Sequence, residues 1–106
     1  MQQDAATAES KIAILTLAIE QRVVIGARYN AEGVELWPHQ LIERNGATYV
    51  RAVNPAKSRL RDEPATLGLF HLGGLSDLAL KPAQFEPLPS EATTPARTGD
   101  EVVATI

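Results

Sequence analysis

The dipeptide Asn45-Gly46, set between two β-prone runs, constrains this chain more than any other feature. Both positions tolerate the positive φ that a type I′ turn needs, so the segments on either side must pair as an antiparallel hairpin. The run before it, from Val34 to about Arg44, is one strand, and Ala47 to Val53 is the next. Pro38 has no N–H to give a ladder, so it should bend the first of these strands or place it at an edge.

The same reading extends outward. Val23, Ile25, Ala27 and Tyr29 alternate with Val24, Gly26 and Arg28, which is the period of a strand, and Asn30-Ala31-Glu32-Gly33 supplies turn chemistry after it. Upstream the period changes to that of a helix. Ser10 is expected to cap a helix over Lys11 to Gln21, with Ile12, Leu15, Ala18 and Ile19 on its apolar face and Lys11, Glu20 and Gln21 in water. Downstream, the polar loop Asn54 to Pro64 leads to two further β-like runs, Thr66 to Leu72 and Leu75 to Leu80, split by Gly73-Gly74.

One helix followed by five short antiparallel strands must curl to cover its apolar face. The expected fold is mainly β with one N-terminal helix (α+β), as a small five-stranded SH3-like or Sm-like barrel or a strongly bent antiparallel sheet. At 106 residues the chain has enough core for one domain, placed at 10–87. Residues 1–9 and 88–100 lack apolar periodicity and are expected to be disordered tails. The last six residues, Glu101 to Ile106, are β-prone enough to add a short edge strand here or on a partner.

Composition removes several function classes. There is no cysteine, which excludes disulfides, thiolate zinc sites and cysteine nucleophiles. The N-terminus has no basic leader, and the apolar run Ile12 to Ile19 is too short to span a bilayer, so a cytoplasmic location without membrane contact is expected. The net charge is −3, yet residues 10–87 carry nine Lys or Arg against eight Asp or Glu, which leaves room for a local basic face. Ser10, Ser58, Ser76 and Ser90 stand in no nucleophile-elbow context, and Gly73-Gly74 has neither the spacing nor the ending of a phosphate loop. No catalytic site and no cofactor are expected. His39 and His71 lack the partner spacing of a metal site.

Within the third strand, Tyr49 and Arg51 share one face while Thr48, Val50 and Ala52 share the other. If the latter pack inward, Tyr49 offers a ring for stacking and Arg51 a charge; the alternative is that Tyr49 is ordinary half-buried packing. Lys57, Arg59 and Arg61 lie close together in the following loop, where they either follow an anionic ligand or are simply solvated. Trp37, beside Pro38, is expected to plug the core or its rim.

The order of these elements resembles a known family. Leu17-Ala18-Ile19 with Gln21-Arg22, then Tyr29, Trp37-Pro38-His39-Gln40-Leu41, Gly46-Ala47-Thr48-Tyr49-Val50, Phe70-His71-Leu72-Gly73-Gly74-Leu75 and Phe85-Glu86-Pro87 follow the pattern of a WYL domain over Ile12 to Pro87. That resemblance implies a ligand-sensing module of the kind found in bacterial transcription regulators, binding a nucleotide or single-stranded nucleic acid. Its ligand residues would be Tyr49, Arg51, Lys57, Arg59, Arg61 and His71.

The chain departs from the family in three ways. Thr48 and Val50 replace the Trp and Leu of the name-giving run. The two arginines of the later run are replaced by His71 and Gly74, neither of which has the fork geometry that suits phosphate. Nine residues before the helix are too few for a helix-turn-helix, so contact with a promoter would have to come from elsewhere. A protein-interaction or self-association role, using an edge strand, is the competing expectation.

Overall fold

The computed structural model of the chain describes residues 7–55, 67–88 and 99–106. Helix α1 (Ala8–Gln21) starts one turn earlier than its expected cap. Thr7, not Ser10, is the N-cap: its hydroxyl oxygen accepts from the Ser10 N–H at 3.1 Å, and its carbonyl accepts from the Lys11 N–H. Thr and Ser are close in capping strength, so the choice falls to whichever position has extended backbone, and Thr7 has ψ 152°. Arg22 ends the helix in the left-handed region at φ 58°, turning the chain directly into a strand.

The buried stripe of α1 is Lys11, Leu15, Ala18 and Ile19. Lys11 therefore differs from its expected place in water. Its aliphatic stem lies along apolar surface and its Nζ donates to the Leu72 carbonyl at 3.4 Å, so the charged end keeps a polar partner while the methylenes pack.

Strand β1 (Val23–Tyr29) pairs antiparallel with β2 (Glu32–Arg44), and β2 with β3 (Ala47–Val53). The first hairpin is tighter than expected, because Asn30 and Ala31 both take positive φ, 52° and 74°, and pairing resumes at Glu32 rather than Val34. The second is built on Asn45 and Gly46, φ 53° and 81°, as their chemistry demands. β4 (Gly68–His71) pairs with β3, and a 3₁₀ turn, Leu72–Gly74, leads into β5 (Leu75–Gln84), which pairs with β1. Pro82 is tolerated in β5 because that strand has one pairing partner among the described residues and an edge needs no donor on its outer side.

The fold is mainly β with one N-terminal helix, as expected, but the sheet has six strands. β6 (Glu101–Thr105) pairs with Gln40 to Glu43 of β2, beyond the stretch of β2 that β1 occupies. The order is β4-β3-β2-β1-β5, with β6 beside β2. Long β2 reaches all of its partners because its register shifts between Pro38 and Gln40. A bulge of this kind bends a strand, and Pro38 thus serves as a bend inside a central strand, not as an edge marker.

One core joins the helix to the inward face of the sheet: Leu15, Ala18 and Ile19 meet Ile25, Leu36, Leu41, Val50, Ala52, Leu72, Leu75 and Leu78. Among the described residues no helix is long and apolar enough to cross a membrane.

Candidate ligand face

With Leu41, Val50 and Ala52 turned into the core, the alternation of each strand sends its neighbours to the opposite face. Register then lines up two rows across four strands. One row is Val102, Ile42, Tyr49 and His71; the next is Thr105, Gln40, Arg51 and Leu69.

Tyr49 is the centre of the first row. Its ring and the His71 ring meet in a T-shape at 5.1 Å and 87°, and the Arg44 guanidinium lies 5.8 Å from its centroid. Arg44 is held there by Asp100, whose two carboxylate oxygens each accept one guanidinium N–H at 2.8 Å. The Asp100 side chain is almost fully buried, and such a two-pronged pair fixes a plane as well as a charge. The carboxylate also holds the Arg44 guanidinium firmly in its charged form.

Arg51 anchors the second row. Its Nη1 donates to Gln40 Oε1 at 2.7 Å, and Gln40 Nε2 donates in turn to Thr105 Oγ1 at 3.3 Å. Gln40 is buried, so this polar ladder ties β3, β2 and β6 together below the surface.

His71 sits at the end of β4, exposed, with Nδ1 accepting from the Gly73 N–H at 3.0 Å. In a neutral ring that leaves the proton on Nε2. Gly74, at the other end of the 3₁₀ turn, is confined. A Cβ at Gly74 would lie 2.9 Å from the Tyr29 ring and 3.1 Å from Asn30 Oδ1, so the first hairpin leaves no room for a side chain there.

The structure thus brings Tyr49, Arg51 and His71 onto one outward face. Lys57, Arg59 and Arg61 fall outside the described residues; the loop that carries them leaves β3 through Asn54 and Pro55. Sequence reasoning missed Arg44 and Gln40. Alternation from Ile42 could have placed both on this face, but nothing local signals Asp100, which lies 56 residues from Arg44. It also missed an open groove of about 960 Å³ over β1, the start of β2, and β5. Arg28 and Lys81 line that groove together with Glu32, Glu35 and Asp77, and Lys81 approaches Glu35 at 3.8 Å. Its mixture of signs favours no one class of ligand.

The Tyr49 face is chemically suited to a ligand with negative charge and a flat ring. Guanidiniums fit phosphate or carboxylate, and a half-buried tyrosine flanked by an imidazole offers edges and a face for stacking. Among the described residues no group of three or more His, Asp or Glu is placed to hold a metal ion. No protein-family model matches the chain, and no curated protein matches it.

Proposed function

We propose that this chain is a non-catalytic binding module that recognises a nucleotide or a short single-stranded nucleic acid on the outward face of β2, β3 and β4. The observation that carries this reading is Tyr49 set beside His71 and Arg44, with Arg51 in the adjoining row, both guanidiniums held by hydrogen bonds. Preorganised cations lose little freedom on binding, and a stacked base adds about 1–3 kcal/mol. The resemblance to WYL domains supports the same reading, and with it a regulatory role.

Titration with single-stranded RNA and DNA oligonucleotides and with cyclic nucleotides, at rising salt, tests it. Binding should weaken with salt, and Arg51→Ala should lower both affinity and salt slope. Arg59→Ala with Arg61→Ala should reduce the slope further if the loop follows the backbone. No binding by the wild type, or binding indifferent to Arg51→Ala, rules the site out.

One observation favours a second reading, self-association: Val102 and Val103 of β6 are exposed on a strand whose one described pairing partner is β2. Light scattering of the wild type and of Val103→Lys decides it, a monomer in both cases ending that alternative.

A further inference from the structure

We infer that His39 is a pH-sensitive latch that holds residues 85–88 on the sheet and releases them when its imidazole is protonated. Its ring is fully buried, and both nitrogens are committed. Nδ1 lies 2.8 Å from the Trp37 carbonyl oxygen, an acceptor only, so Nδ1 carries the proton and donates. Nε2 lies 3.0 Å from the Leu88 backbone nitrogen, a donor only, so Nε2 must accept. These two contacts define one neutral tautomer. A second proton on Nε2 would set N–H against N–H and destroy the bond to Leu88.

Phe85 of this strap packs on the same ring and adds contacts of its own. It stacks on Trp37, at 5.8 Å and 4°, and on His39, at 5.1 Å and 29°. Its N–H donates to the Arg22 carbonyl at 2.9 Å, where the helix gives way to β1. The His39 carbonyl accepts from the Ile106 N–H at 3.0 Å, so one residue of β2 meets the strap through its side chain and the end of β6 through its backbone.

Charged side chains on the elements that meet His39 are Glu32, Glu35, Glu43 and Arg44 on β2, Arg51 on β3, Glu101 on β6, Arg22 at the helix end and Glu86 in the strap. Arg51 is the one whose field acts on the imidazole, and it opposes a second positive charge. Burial opposes it more strongly, while the bond to the Trp37 carbonyl works the other way; the balance keeps the imidazole below the ordinary value of 6.5. The latch is therefore shut at neutral pH and opens on acidification. Opening separates the Trp37 ring from Phe85.

Trp37 is the sole tryptophan of the chain, so its emission reports the strap directly. The full chain should be titrated from about pH 8 to about pH 4.5, a range chosen to bracket histidine, following Trp37 fluorescence, far-ultraviolet circular dichroism and Leu88 amide exchange. The expected result is a fluorescence transition with its midpoint below 6.5, loss of Leu88 protection in step with it, and unchanged secondary structure. His39→Gln, whose amide oxygen keeps an acceptor for Leu88 but has no proton to gain, should abolish the transition. Arg51→Met should move the midpoint upward, and His71→Gln should leave it in place. A Leu88 amide that stays protected throughout, a transition that survives in His39→Gln, or one that coincides with loss of secondary structure overturns the proposal. If His39→Gln does not fold, Leu88 exchange in the wild type decides between a latch that opens and one that stays shut.

Discussion

The two histidines of this chain each stand beside an aromatic ring at 5.1 Å, yet the fold uses them in opposite ways. His39 is sealed under Phe85 with both nitrogens engaged by backbone. His71 is exposed, has one nitrogen committed to Gly73, and meets the Tyr49 ring in a T-shape. Environment and not residue type sets the two apart: a buried imidazole between a fixed acceptor and a fixed donor serves the architecture, whereas a half-committed one at the surface keeps a nitrogen facing solvent.

The largest expected effect tests the buried side of this comparison. Phe85→Ala removes the ring stacked on Trp37 and His39 and should cost about 3–5 kcal/mol in urea unfolding, since the cavity opens at a buried aromatic. A loss below about 1 kcal/mol would mean that the strap contributes little to the fold. Tyr49→Ala probes the exposed side: ligand affinity should fall by about 1–3 kcal/mol by isothermal titration, with the fold retained.

The pH dependence of stability reports on the buried histidine. His39 is held below its ordinary value in the folded state, so between that folded value and 6.5 the unfolded chain binds the extra proton. Its contribution to stability is complete above 6.5 and is lost as pH falls through that window, and urea unfolding of His39→Gln should be flatter there than the wild type. Asp100→Asn should speed amide exchange in β6 by freeing Arg44, and should weaken ligand binding by loosening the cation beside Tyr49. The smallest effect belongs to His71→Gln, within about 0.5 kcal/mol of wild-type stability, because the residue is exposed.

Local chemistry made some of this legible. The alternation from Val23 to Tyr29 and the run from Ala47 to Val53 mark β1 and β3 at their observed bounds, and Asn45-Gly46 marks the turn between β2 and β3. Tyr49 and Arg51 could be assigned to one face because a strand's period of two is strict and Val50 and Ala52 are apolar. Where the signal was ambiguous the bounds moved: Thr7 and Ser10 compete for one cap, and β5 runs past Pro82 to Gln84 because an edge tolerates proline. The Gly73-Gly74 break hid a glycine whose reason is the nearness of Tyr29, 45 residues earlier in the chain.

By itself, then, the sequence determined the class of fold, one helix leading into tight antiparallel hairpins, because capping, turn chemistry and alternation act over a few residues. Tertiary structure alone decided the rest: Lys11 buried against Leu72, β6 laid on β2, Arg44 clamped by Asp100 and His39 closed over by residues 85–88. The three side-chain contacts among these join groups 49 to 61 residues apart. No local preference encodes such a pair; each follows from which surfaces remain uncovered once the hairpins have packed on the helix.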